Sequence, residues 1–165
     1  ENDCQLLKPV LGFVHESLQC LGMDLTEITR VNVALQEALA NAIFHGNLEL
    51  SSQLREEDES LFFRLASERR QQTPYKNRRV FLHGELCREK ICFVIRDEGP
   101  GFDPSRLPDP HRPQAIDCTC GRGLLLIHSF MDKVTFNERG NEIRLVKSVR
   151  GSLSSNGQPC PTGST

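Results

Sequence analysis

The hydrophobic period changes near residue 79, and that change restricts the fold more than any other feature of the chain. Before it, apolar residues recur at helical spacing. Leu7, Val10, Leu11, Val14, Leu18 and Leu21 form one stripe, ended by Gly22. A second stripe opens at Thr26 and carries Ile28, Val31, Leu35, Ala38 and Ala42, with Gly46 as its stop. After the change, Arg79 to Cys87 and Lys90 to Asp97 read as two strands joined by the short Arg88-Glu89 turn. Gly123 to Met131 reads as a buried helix. Asp132 to Asn137 and Asn141 to Ser148 then read as a second hairpin around Arg139-Gly140. Helices first and hairpins later predict an α+β fold, a two-layer sandwich with a mixed, mostly antiparallel sheet and helices on one face.

Three stretches fall outside this alternation. Within an insertion at 48–78, Ser51 to Arg70 is strongly charged around a short apolar knot, Leu61, Phe62, Phe63 and Leu65, and reads as an inserted helix pair or one long helix ending before Pro74. The expected role is a solvated excursion, the sharper alternative a partner-docking surface built on Leu61, Phe62 and Phe63. Gly99 to Gly121 is rich in proline and glycine and reads as a loop, and the Ser/Gly/Pro-rich residues 151–165 read as a disordered tail. One domain over residues 1–150 accommodates the rest of the 165-residue chain.

Composition narrows the function by exclusion. A formal net charge of -2 gives no bias towards nucleic acid or anionic lipid. No apolar run approaches the roughly 20 residues that span a bilayer, and the N-terminus lacks the basic-then-apolar pattern of a secretory signal. The seven cysteines are not spaced as a disulfide framework or zinc site and read as free thiols in a reducing, cytoplasmic setting. Glu1 stands where an initiator Met would, so the sequence is expected to be cut from a longer protein.

Three motifs carry the chemistry. In E-A-L-A-N-A-I-F-H-G-N, the residues Glu37, Asn41 and His45 are successive four-residue steps, which share one face of a helix. Ala38 and Ala42 beside them leave room for a ligand. The amide oxygen of Asn41 is a hard donor suited to Mg²⁺, and the carboxylate of Glu37 can accept a proton. In R-D-E-G-P-G-F-D, strand alternation puts Asp97 on the same face as Ile91, Phe93 and Ile95, burying a carboxylate that then needs a donor such as an exocyclic amine. Gly99 and Gly101 let the backbone turn tightly and approach a flat ring. In G-R-G-L-L-L-I, Gly121 and Gly123 open a helix whose first N–H groups suit phosphate, with Arg122 and Leu124 alongside. Taken singly, each motif also fits a bland role: a solvated helix face, a strand-to-loop turn, a hinge into a core helix.

In this order the three motifs resemble the nucleotide site of the Bergerat-fold ATPases, the superfamily of gyrase, the heat-shock chaperone ATPases, sensor histidine kinases and mismatch-repair ATPases. They look like its N, G1 and G2 boxes. Within it, E-A-x-x-N-A-x-x-H-G, R-D-E-G-x-G, a short lid, and F-M-D-x-V followed by I-R-L-x-K are most similar to the anti-sigma factor serine kinases. The resemblance covers roughly Leu6 to Lys147, with 48–78 as its poorest part. Many relatives carry Gly-Thr before the last strand, where this chain has Gly140-Asn141-Glu142.

The resemblance implies ATP and Mg²⁺ as cofactors. It implies Glu37 as general base, Asn41 as the magnesium ligand and Asp97 as the adenine acid. Gly99, Gly101, Gly121 and Gly123 would shape the pocket and lid. Arg122 or the lid arginines Arg106 and Arg112 would hold phosphate charge, and His45 would sit near the phosphates without an assigned role. The activity implied is transfer of the γ-phosphate to a serine or threonine of a small antagonist protein, regulating transcription by partner switching. An antagonist-like protein, a sigma factor or both would be the partner, and relatives of this type often form homodimers. The alternatives are a non-catalytic ATP-binding switch and the catalytic half of a sensor histidine kinase.

Overall fold

The computed structural model describes residues 2–107 and 122–149. Helix α1 (Leu7–Cys20) and helix α2 (Leu25–Asn41) are separated by a tight turn at Leu21-Gly22. Asp24 starts α2 by accepting from the backbone N–H groups of Thr26 at 2.9 Å and Glu27 at 3.1 Å, satisfying two orphan donors of the first turn. The helix does not stop at Gly46 as a simple α-helix. From Ala42 to Asn47 it continues as a π-helical turn, closed by Leu48 N–H donating to the Ile43 carbonyl at 2.9 Å. Such turns are rare and occur mostly at functional sites.

Helices α3 (Ser52–Glu57) and α4 (Glu59–Arg69) follow, then strands β1 (Phe81–Leu86) and β2 (Lys90–Arg96), helix α5 (Arg122–Phe130), and strands β3 (Lys133–Phe136) and β4 (Glu142–Ser148). The sheet order is β1-β2-β4-β3, and all its pairings among the described residues are antiparallel. Both hairpins form as their turns dictate. The two hairpins join through β2 and β4, with Phe93 opposite Leu145 and Ile95 opposite Ile143.

Burial follows the strand period. Ile91, Phe93 and Ile95 of β2 and Ile143 and Leu145 of β4 point into one core with Val14 and Leu18 of α1, the apolar stripe of α2, and Ile127 of α5. The helices therefore cover one face of the sheet, and α2 is central, packing on both α1 and α5. That arrangement leaves the Glu37–Asn41 side of α2 facing the start of α5.

The 48–78 segment is mostly exposed, as expected, but part of its apolar knot is not. It is a helix pair, and Phe62 of α4 is wholly buried with Ala66 against Ile43, Leu48 and Leu50 in a second core. Phe62 cannot serve an exposed docking surface because its ring already packs on Phe44, centroids 5.2 Å apart; Phe63 keeps about half of its surface exposed. Arg69 and Arg78 tie the segment down by donating to the carbonyls that leave the π turn. Arg69 reaches Leu48 and Glu49 at 2.6 and 2.8 Å, and Arg78 reaches Asn47 at 2.8 Å. Cys4, Cys20, Cys87 and Cys92 are free thiols. No helix among the described residues is long and apolar enough to cross a membrane. The expected tail at 151–165, Gly121, Arg112 and most of the lid lie outside the described residues.

Candidate functional site

A cleft of about 950 Å³ opens between α2, α5, the start of α3 and the ends of β2 and β4. Its walls bring together Glu37, Asn41, His45, Asp97, Gly101, Arg122, Gly123 and Leu124, residues spread over 88 positions of sequence. Gly99 stands just behind Asp97.

Asp97 ends β2 at the closed end of the cleft and is only 8 % exposed. Its Oδ1 accepts from the Gly99 N–H at 2.8 Å, which turns the chain immediately after the strand. Burial pushes the carboxyl above its usual range, more than that bond, its own backbone N–H and the charges of Arg139 and Arg78 pull it down. A buried acid with one bonded oxygen retains acceptor capacity for a donor from the cleft.

Two backbone contacts hold this acid. Gly46, in the π turn, lies against it so closely that a Cβ there would be 2.4 Å from the Asp97 Cγ, and a Cβ on Gly99 would be 2.2 Å from the Gly46 carbonyl oxygen. Sequence reasoning named Gly99 but used Gly46 only as a helix stop. Its position directly after His45 in H-G-N was the available signal.

The base of the loop after Asp97 is locked to the β3–β4 turn. Gly101 has φ +79° and Gly140 φ +72°, conformations costly for any residue with a Cβ. Phe102 N–H donates to the Arg139 carbonyl at 3.1 Å, and the Phe102 ring meets Phe136 edge-on. Asn141, standing where many relatives carry threonine, is 9 % exposed and structural. Its Nδ2 donates to the Asp97 carbonyl at 2.9 Å, while the Asp97 N–H donates to the Asn141 carbonyl at 3.0 Å. Asn47, also missed, is wholly buried; its Oδ1 accepts from the Glu98 N–H at 2.8 Å and its Nδ2 donates to Asn2.

At the other end, Glu37 and Asn41 face the first turn of α5. A Cβ on Gly123 would lie 2.6 Å from Glu37 Oε2 and 3.8 Å from Asn41 Nδ2, so a side chain there would push the Glu37 carboxylate aside. The free N–H groups of that first turn favour an anion here. His45 Nδ1 lies 2.5 Å from the Leu50 carbonyl oxygen. A carbonyl only accepts, so Nδ1 is the donor in this contact. Arg106 is held by Asp103, 3.8 Å away, on an exposed turn and does not line the cleft.

A buried acid, a tight glycine turn and a glycine-opened helix facing Glu37 and Asn41 make a site with an amine-accepting end and an anion-accepting end. The sequence agrees with that geometry: residues 1–147 match the histidine kinase-like ATPase domain. The chain belongs to this family. As a histidine kinase-like ATPase domain, it binds ATP, and the α+β sandwich described above is its fold. A search among curated proteins finds no match.

Proposed function

We propose that this ATPase domain is a protein serine/threonine kinase of the anti-sigma factor type, active on a small antagonist protein. Adenine would donate its amine to Asp97, and the triphosphate would run towards the N-terminus of α5. The observation that carries the reading is the Glu37 carboxylate set beside Asn41 and the α5 start, with its oxygen unblocked by any side chain at position 123. A pure binder has less need of a carboxylate beside the phosphates than a transferase does.

Mg²⁺ fits the residues present. Among the described residues no group of three His, Cys, Asp or Glu could cage a metal, whereas Mg²⁺ is held mainly by phosphate oxygens with one or two protein donors. Asn41 would supply that donor, and the ion would neutralise charge on the triphosphate. In the transfer itself, the serine hydroxyl oxygen bonds to the γ-phosphorus while the bond from the γ-phosphorus to the β–γ bridging oxygen breaks. Glu37 takes the hydroxyl proton and ADP leaves with the electron pair. Arg122 and the α5 N–H groups hold the phosphoryl charge.

Incubation with γ-labelled ATP and a panel of antagonist-like proteins tests this. Label is expected on a serine or threonine and is expected to vanish with Glu37→Ala. Label moved to a histidine instead would identify the sensor-kinase alternative. Equal labelling by wild type and Glu37→Ala would refute Glu37 as the base, and ATP binding with no acceptor labelled would leave the domain a nucleotide-dependent switch.

A further inference from the structure

Arg55, on α3, lines the same cleft as Glu37, Asn41 and His45 but has no part in the site built above. Its guanidinium stacks over Phe62 at 5.7 Å and Phe63 at 5.9 Å, two rings that meet edge-on. That platform rests on Phe44, which lies in the π turn between Asn41 and His45. The arginine is thus held by the helix that carries the candidate metal and base residues.

Stacking engages only the face of the guanidinium, leaving its in-plane N–H donors available. Among the described residues Arg55 pairs with no carboxylate and no carbonyl. Other arginines spend their donors: Arg69 and Arg78 on the carbonyls of the π turn, Arg139 on Gly99 and Pro100. Arg55 and Arg122 are the cationic side chains among the described liners of a cleft whose described carboxylates outnumber them. A nucleotide triphosphate entering such a cleft needs every cation it offers. Asp97, at the base end, is buried, whereas Arg55 is exposed and lines the same cleft.

We propose that Arg55 is a phosphate-binding residue, supplied by the 48–78 segment, that contacts the terminal phosphate of the bound nucleotide. This rests on the ATP-binding reading of the cleft and gives the segment a role in distinguishing nucleoside triphosphate from diphosphate. The buried Phe62 then acts as a fixed platform for a cation at the cleft mouth.

Binding of Mg-ATP and Mg-ADP to the whole chain, measured by calorimetry, tests it. Arg55→Ala is expected to weaken ATP by roughly 10- to 100-fold, the range of a lost charge-assisted hydrogen bond, and to leave ADP within about twofold. Arg55→Lys should recover part of the loss, since it keeps charge without the planar stacked fork. Phe63→Ala, which removes one exposed half of the platform, should lower the ATP-over-ADP preference in the same direction. Unchanged ATP affinity in Arg55→Ala, or equal loss of ATP and ADP, would overturn the assignment while leaving the nucleotide site intact. Wild type that binds neither nucleotide would refute the ATP reading and the Arg55 assignment together.

Discussion

The Cα of Gly46 packs on the carboxylate of Asp97, so closely that a methyl group at position 46 would stand within 2.6 Å of both carboxylate oxygens. Asp97 is buried and bonded to Gly99, so it has little freedom to yield. Gly46→Ala is therefore expected to displace the acid. The overpacking should cost about 1–3 kcal/mol of stability, and ATP should no longer raise the melting temperature. Thermal melts with and without Mg-ATP check both.

Asp97→Asn should separate stability from binding. Burial raises the Asp97 pKa, so the folded state prefers the protonated form. Stability from this group is full below the ordinary aspartate range and is lost as pH rises through the raised value. The amide keeps the acceptor for Gly99 without the charge. Without ligand, the Asp97→Asn variant is expected to melt no lower than wild type at neutral pH, yet to lose its ATP-induced shift. For wild type, ATP affinity should fall as acid protonates Asp97, a trend absent in the variant.

Glu37 and Asn41 should fail differently. Glu37→Gln is expected to bind Mg-ATP within a few-fold of wild type and to lose phosphoryl transfer by about 10²–10⁴-fold. Asn41→Ala should weaken Mg-ATP while affecting nucleotide without metal far less. Calorimetry in magnesium and in chelator, beside single-turnover labelling, distinguishes the two.

Phe62 and Phe63 are neighbours with opposite expected outcomes. Phe62 is wholly buried on Phe44, and Phe62→Ala should cost about 3–5 kcal/mol, read as a lower denaturation midpoint. Phe63→Ala, at a half-exposed position, should cost far less.

At the far end of the sheet, Lys147 bridges Glu27 at 3.0 Å and Asp132 at 3.2 Å. Burial opposes the charge on Lys147, but its hydrogen bonds to Glu27 and Asp132 outweigh that and raise its pKa; the bond to Lys147 lowers that of Glu27. The Glu27 contribution is present above the ordinary glutamate value of 4.5 and is lost as pH falls through the depressed one. Lys147→Met should flatten the acid limb of stability against pH between those values.

Local chemistry was enough to dictate the elements: helical spacing to Gly46, alternation around Arg88-Glu89 and Arg139-Gly140, and a buried acid at the end of a core strand. These features are legible in the chain because side-chain period and turn chemistry act between near neighbours. The shared face of Glu37 and Asn41 is equally legible, since four residues make about one helical turn. What lies opposite that face was decided by tertiary structure. Strand β4 inserts between β2 and β3, which sets Asn141 beside Asp97 across 44 residues of chain. Packing of α5 on α2 sets Gly123 against Glu37, and a π turn sets Gly46 against Asp97. In the 48–78 segment the helix pair and its solvated charges were legible, but the burial of Phe62 was not, for the same reason. The charges are local and point to solvent, whereas the burial of Phe62 depends on Phe44 and Leu48, whose exposed faces exist only once the π turn has formed. Period and composition register what a residue prefers; close approach of backbones is a property of the assembled layers.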